Sequence, residues 1–130
     1  MTKVLIADDS ELMLRLTEIA IHQLDETIEV IEVKNGQDAL EQWCLEQPDL
    51  CVLDIHMPRI NGIEVLREIK RQDPHAKVLM LTADRHEHIE HACRELGVDM
   101  FVKKSENRPI IQRAFRAMLK QADQAMPLHA

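Results

Sequence analysis

Five short apolar runs alternate along the chain with segments of helical periodicity, and this alternation constrains the fold more than any other feature. The runs are Lys3–Ala7, Ile28–Val33, Leu50–Asp54, Lys77–Thr82 and Asp99–Lys103. Four of them are nearly continuous in apolar residues, which is typical of strands covered on both faces of a parallel sheet. Glu29 and Glu32 interrupt the second run, so we expect it to form an edge strand.

Each run is followed by a segment whose apolar residues recur at helical spacing. The first carries Leu12, Met13, Leu16, Ile19, Ala20 and Leu24, and the others are Gln37–Gln47, Ile63–Gln72, Arg85–Leu96 and Asn107–Ala122. Strands that alternate with helices predict a parallel sheet with right-handed crossovers and helices on both faces. The sequence therefore predicts one α/β domain over residues 1–122, with residues 123–130 as a C-terminal tail.

The net charge of the chain limits the partners that it is expected to bind, and its cysteines indicate where it is located. The chain has 16 Lys and Arg against 23 Asp and Glu, a formal net charge of −7. A basic face is needed to hold nucleic acid or an anionic membrane, so we expect neither partner to bind directly. Three cysteines without CxxC spacing indicate reduced thiols and a cytoplasmic location.

Polar residues follow the runs at the sheet edge where open α/β folds bind ligands. The first run is followed by Asp8 and Asp9, and the next ones end in Asp54, Thr82 and Lys103. Three carboxylates held together repel one another unless a cation lies among them, and Mg²⁺ prefers oxygen ligands. A lysine and a hydroxyl beside that cation suit a phosphoryl group. The pattern predicts a phosphoryl site with the mid-sheet Asp54 as nucleophile.

Each of these residues also has an ordinary structural explanation when taken alone. Asp9 or Ser10 can cap the first helix, and Asp54 can cap the turn that follows it. Thr82 can be an unremarkable end of a strand, and Lys103 a solvated lysine. The functional interpretation rests on the fact that each of these residues stands at the carboxyl end of its own predicted strand.

Several motifs together resemble the response-regulator receiver domain of two-component signalling, as in chemotaxis receivers. They are Asp8-Asp9, the stretch Leu53-Asp54-Ile55-His56-Met57-Pro58 with Gly62, Thr82-Ala83, and Lys103. The resemblance extends from Lys3 to about Gln121. It implies a flavodoxin-like, doubly wound sheet of five parallel strands in the order 2-1-3-4-5, with five helices.

The resemblance also implies a role for each matching residue. Asp54 would take a phosphoryl group from the phosphohistidine of a histidine kinase or phosphotransfer domain. The Mg²⁺ ligands would be Asp8, Asp9, Asp54 and the backbone carbonyl of His56. Thr82 would bond a phosphoryl oxygen and Lys103 would pair with the phosphoryl group. Such a protein is a switch that catalyses its own phosphotransfer and dephosphorylation, and it is not a turnover enzyme.

Further expectations concern the family's output surface and two positions at which this chain departs from the family's residue pattern. In the family, the fourth helix, fifth strand and fifth helix carry the activated state, so we expect a partner, or a second copy forming a homodimer, to bind there. Three residues before Lys103, where the family usually has an aromatic residue, stands Met100. After the lysine, where Pro is usual, stands Lys104, and we expect a trans peptide bond there.

Three other functions remain open from the sequence. A phosphatase of the haloacid-dehalogenase kind also uses an aspartyl phosphate, but it needs an Asp-x-Asp motif where this chain has Asp8-Asp9. A receiver-like module could bind partners without being phosphorylated. His88 and His91, about one turn apart, could share a zinc ion, although such residues usually form a solvated face.

Overall fold

The computed structural model describes the backbone of residues 1–125 and the side chains of residues 1–122. Five strands alternate with five helices. In chain order they are β1 (Lys3–Ala7), α1 (Glu11–Leu24), β2 (Glu29–Val33), α2 (Gly36–Glu46), β3 (Leu50–Leu53), α3 (Gly62–Gln72), β4 (Val78–Thr82), α4 (Glu87–Glu95), β5 (Met100–Lys103) and α5 (Arg108–Ala125). The predicted α/β alternation is confirmed.

The strands form one parallel sheet in the order β2-β1-β3-β4-β5. The order confirms the flavodoxin-like fold, and β2 lies at an edge as its two glutamates indicated. In register, Ala7 lies beside Leu53, Leu53 beside Met80, and Thr82 beside Lys103. The carboxyl ends of β1, β3, β4 and β5 therefore meet at one edge of the sheet.

Alternate residues of the strands supply two apolar cores, one on each face of the sheet. Leu5 points to the core beneath α2, α3 and α4, where Trp43 and Ile69 are buried. Ile6 points to the core beneath α1 and α5, where Phe115 is buried. Two packed faces explain why the strands are continuous in apolar residues.

Side-chain caps stand at the start of the first three helices. The Ser10 hydroxyl accepts from the backbone N–H of Met13 at 3.2 Å. Asn35 and Asn61 cap α2 and α3 in the same manner. Each cap satisfies N–H groups that the first turn leaves unpaired, so each of these helices begins directly after its capping residue.

Helix α5 extends further than the sequence pattern indicated. It runs to Ala125, so residues 123–125 of the expected tail are helical. The segment after Ala122 contains good helix formers, and the first helix breaker is Pro127. Residues 126–130 lie outside the described part of the chain. None of the described helices has both the length and the apolar composition that a bilayer span requires.

Gly62, the first residue of α3, is required by a close backbone approach. A Cβ atom at this position would lie 1.9 Å from the carbonyl oxygen of Asp54. We expect Gly62→Ala to lower the free energy of unfolding by about 1–3 kcal/mol, because the backbone around Asp54 must shift. Thermal unfolding measures this. Glu64→Ala, an exposed change in the same helical turn, should alter it by less than about 0.5 kcal/mol, and equal losses would contradict the prediction.

Candidate functional site

Asp54 lies immediately after β3, at the centre of the sheet edge. Its backbone N–H donates to the carbonyl of Ala7 at 2.9 Å, which continues the sheet pairing by one residue. Its Oδ1 accepts from the N–H of Ile55 at 2.7 Å, and the residue is only 7% exposed. The carboxylate is thus held in one orientation at the mouth of the site.

Lys104 joins two buried carboxylates. Its Nζ donates to Asp8 Oδ2 at 2.7 Å and to Asp54 Oδ2 at 3.0 Å. Burial acts to lower the pKa of Lys104, but the hydrogen bonds and charges of Asp8 and Asp54 outweigh it and the pKa is raised. The ammonium is therefore a fixed positive charge between the two carboxylates.

The prediction that the side chain of Lys103 lies at this site is wrong. Lys103 is the last residue of β5, and its side chain lines a groove on the α4 side with Phe101, Glu90 and Glu106. Successive residues of a strand point to opposite faces, so the following residue, Lys104, faces the carboxylates. Its backbone N–H donates to the carbonyl of Thr82 at 2.8 Å, which fixes its position.

With this correction, one of the two apparent departures from the receiver pattern disappears and the other remains. Phe101, and not Met100, stands three residues before Lys104, so the expected aromatic is present. Phe101 is half-buried against the core beneath α4. Ser105, and not Lys104, takes the place after the lysine, so the usual Pro is still absent. The spacing of three residues between aromatic and lysine was the sequence signal that could have identified Lys104. The Lys103–Lys104 bond is trans, as expected.

Asp8, Asp9 and Asp54 each present an oxygen, and these oxygens lie within 4.8 Å of one another. Asp8 is buried and its Oδ1 accepts from the N–H of Ser10, whereas Asp9 is exposed. Burial raises the pKa of Asp8, and the charge of Asp54 adds to the increase. A cation would relieve this repulsion, and a set of three carboxylates fits a hard divalent ion such as Mg²⁺.

Thr82 is fully buried at the end of β4, beside Lys103 in the register. Its Oγ1 accepts from the backbone N–H of Asp84 at 3.2 Å. Asp84 in turn bonds His56 Nε2 at 2.7 Å, so the side chain of His56 is tied to the loop after β4. The resemblance implies that the side chains at the positions of His56 and Asp84 flank the path of the hydrolytic water and tune dephosphorylation, but the hydrogen bond between them had no signal in the sequence pattern.

The helical histidines do not form the alternative zinc site. His91 pairs with Glu95 at 3.0 Å, and the ring of His88 lies 5.4 Å from that of His86. Across the part of the chain that the structure describes, only the three aspartates bring three or more potential ligands together in this way. The solvated-face interpretation of α4 accounts for these residues.

Comparison with known proteins shows to which family this chain belongs. Residues 4–123 match the response regulator receiver domain. The chain belongs to the response-regulator receiver family. Receiver domains are the signalling switches of two-component systems, and the family match covers β2 to β5, all of β1 except Lys3, and the aspartates, threonine and lysine described above.

Curated relatives of this receiver include both short and long proteins. The chain is 34% identical to chemotaxis protein CheY of Halobacterium salinarum over 90% of its own length and 96% of the relative. It is 31% identical to the alkaline phosphatase synthesis transcriptional regulatory protein PhoP of Bacillus subtilis, over 96% of its own length. The chain spans about half (51%) of that regulator.

Solved structures agree on the fold. A CheY-like receiver domain protein from Methanospirillum hungatei superposes with a TM-score of 0.86 over 96% of this chain and 98% of the other, at 22% identity. At that identity the likeness concerns the fold of the receiver and not its partners.

Proposed function

We propose that this receiver is phosphorylated on Asp54 by the phosphohistidine of a histidine kinase or a phosphotransfer domain in the cytoplasm. The observation that carries the proposal is the position of the Lys104 Nζ, in contact with both Asp54 and Asp8. A buried nucleophilic carboxylate with a fixed cation beside it can accept a phosphoryl group, because the cation offsets the charge that arrives.

The reaction joins an Asp54 carboxylate oxygen to phosphorus and breaks the bond between phosphorus and the donor imidazole nitrogen. The imidazole leaves with the electron pair of that bond and takes up a proton from solvent. Lys104 moves its hydrogen bond from the carboxylate to the phosphoryl oxygens, and the hydroxyl of Thr82 donates a hydrogen bond to one of them. Hydrolysis of the acyl phosphate by water returns Asp54 to its carboxylate.

Asp8, Asp9, Asp54 and the carbonyl of His56 would hold Mg²⁺, which neutralises phosphoryl oxygens when bound. Asp8 and Asp54 are shared with Lys104, whereas Asp9 is exposed and is free of that contact. Asp9 would therefore act chiefly as a ligand of the metal ion, whereas Asp8 would interact with both the metal ion and the ammonium of Lys104.

The direct test is incubation with acetyl phosphate and Mg²⁺, followed by peptide mass analysis to locate the added phosphoryl group. We expect one phosphoryl group per chain, on Asp54, with spontaneous loss afterwards. Absence of labelling would support the receiver-like module that binds partners without phosphorylation. Sustained turnover of a small phosphoester would instead support the phosphatase alternative.

Removal of the divalent ion provides a further prediction. With excess EDTA, labelling should fall to background, because two anions must otherwise approach each other. Asp9→Asn should raise the Mg²⁺ concentration for half-maximal labelling by roughly tenfold, since one of three carboxylate ligands is lost. Glu41→Gln, an exposed change on α2, is the control and should leave the Mg²⁺ dependence unaltered. Labelling that survives EDTA would contradict the assignment of the cation.

The output surface is proposed on α4, β5 and α5. Most of the described apolar residues of α5 are accounted for by the core, because Ala114, Phe115, Met118 and Ala122 are buried and Ile111 and Leu119 pack against them. Beyond them, a groove carries Phe101, Lys103 and the 40% exposed Ile110, with Glu90 and Glu106 beside the lysine. Apolar contacts flanked by both signs of charge suit a second copy of the chain, because each lysine can pair with a glutamate of the other copy.

Phosphorylation-sensitive self-association through this groove is expected to appear in sedimentation velocity. A beryllofluoride mimic of the phosphoryl group, with Mg²⁺, should increase the mass of the sedimenting species. Ile110→Glu should prevent the increase, because it buries a charge in the contact. Leu45→Glu changes a 74% exposed leucine on α2 and should have no effect. An unchanged mass with the mimic would mean that the groove does not mediate self-association and has only a structural role.

A further inference from the structure

A histidine–aspartate–histidine network crosses from one loop of the site to the next. The carboxylate of Asp84 bonds His56 Nε2 at 2.7 Å through Oδ2 and His86 Nδ1 at 2.8 Å through Oδ1. Oδ1 also accepts from the backbone N–H of His86 at 2.9 Å. The Asp84 side chain is 8% exposed, whereas the two rings are 71% and 73% exposed. A protected carboxylate is thus clamped between two surface imidazoles.

This network links the two loops that follow β3 and β4. His56 stands two residues after Asp54, and Asp84 two residues after Thr82, whose Oγ1 accepts from the Asp84 N–H. β3 and β4 are neighbours in the sheet, so the His56–Asp84 bond is a strap between adjacent loops of the phosphorylation site.

The side chain of His86 is placed to hold the carboxylate and does not cap its own helix. It is the N-cap residue of α4, a position where Ser, Thr, Asp or Asn usually bonds the first turn. The His86 side chain makes no such bond, because its ring is directed at Asp84. The backbone N–H of His86, the His56 ring and the His86 ring together lower the pKa of Asp84, so the acceptor stays ionised.

The carboxylate can only accept, so each ring nitrogen that touches it must donate. His56 therefore carries its proton on Nε2, and His86 carries one on Nδ1. The three donors hold Asp84 in one rotamer, and that rotamer sets the direction from which it holds His56. Loss of the His86 ring leaves Oδ1 with only the backbone N–H of His86 as a donor, which weakens the hold of the carboxylate on the ring of His56.

We propose that His86 is a positioning residue of the phosphorylation site, acting through Asp84 to keep the His56 strap closed and so to prolong the phosphorylated state of Asp54. The inference rests on the proposed function, because it concerns the lifetime of that phosphoryl group. His86 itself touches none of the reacting atoms. It acts by limiting the entry of water between the two loops.

The test compares the decay of the phosphorylated protein after the phosphodonor is removed, followed by intact mass. His86→Ala and His86→Phe should both accelerate phosphate loss by roughly three- to tenfold, the range expected for one hydrogen bond. His91→Ala removes a histidine of the same helix that pairs with Glu95, and it should decay like the parent protein. A parental lifetime in His86→Phe would show that bulk and not the bond matters, and would overturn the proposal.

A double-mutant comparison tests whether His86 acts through the strap. His56→Ala should accelerate decay, and His86→Ala should add little when the strap is already absent. Additive acceleration would mean that the two residues act separately, and would overturn the proposal. Nitrogen-15 spectra of the unphosphorylated protein give an independent readout, because the His56 Nε2–H signal should weaken or shift in His86→Ala and remain in His91→Ala.

The two levels of the inference fail differently. If the parent protein is never labelled, the phosphorylation of Asp54 is wrong and the role of His86 falls with it. If the parent protein is labelled and His86→Ala decays at the parental rate, only the role of His86 is wrong.

Discussion

Asp54→Asn is expected to reduce phosphorylation by acetyl phosphate to background while the protein stays folded. The amide nitrogen and oxygen are far weaker nucleophiles than a carboxylate, and no other carboxylate in the site is contacted by Lys104 and also lies at the centre of the sheet edge. The amide oxygen can still accept from the N–H of Ile55, so the loop retains its local hydrogen bond. Intact mass before and after incubation with the phosphodonor measures the change.

A matched control separates chemistry from folding. Asp73→Asn makes the same substitution at the exposed C-terminal end of α3, where the side chain accepts from the N–H of His75. This variant should be labelled at the parental rate, and both variants should unfold cooperatively. Undiminished labelling of Asp54→Asn, or transfer of the label to Asp8 or Asp9, would remove Asp54 from its proposed role.

Lys104→Met and Lys103→Met form the second decisive comparison, because the two residues are adjacent and differ only in the face they occupy. Lys104→Met should slow labelling by roughly tenfold or more, since the fixed cation that meets the arriving phosphoryl charge is lost. Lys103→Met removes a lysine from the outer groove and should change the rate by less than about twofold.

The dependence of folding stability on Mg²⁺ should also distinguish the two lysine variants. Without Lys104, the buried carboxylates of Asp8 and Asp54 face each other uncompensated, and we expect Lys104→Met to be less stable in EDTA than in Mg²⁺. Lys103→Met should show no such dependence on the cation beyond that of the parent protein. A larger loss of labelling in Lys103→Met than in Lys104→Met would reverse the assignment made from the geometry.

The sequence by itself determined the architecture of this receiver. Continuous apolar runs are compatible with a strand only when both of its faces are buried, and the intervening periodic segments supply the helices that cover them. The positions of Asp8, Asp9, Asp54 and Thr82 at the ends of their runs followed from the same pattern, because parallel strands bring all their carboxyl ends to one edge. The edge position of β2 followed from two charged residues in its run.

The choice between Lys103 and Lys104 was decided by the tertiary structure. Both residues stand at the end of the same run, and an error of one residue turns a side chain to the opposite face of the sheet. The facing residue depends on which neighbours of β5 are buried on each side, Phe101 on one and Val102 on the other. That assignment requires the packed helices, although the spacing from Phe101 to Lys104 carried part of the information.

The contacts between loops were also beyond the sequence. His56 and Asp84 are separated by 28 positions, and the loops that carry them have no periodicity from which a contact can be inferred. The direction of each ring depends on hydrogen bonds to residues that become neighbours only when β3 and β4 pair. Strand and helix patterns are local consequences of burial, whereas the orientation of polar side chains at the sheet edge is set by non-local contacts, and so only the folded chain determines it.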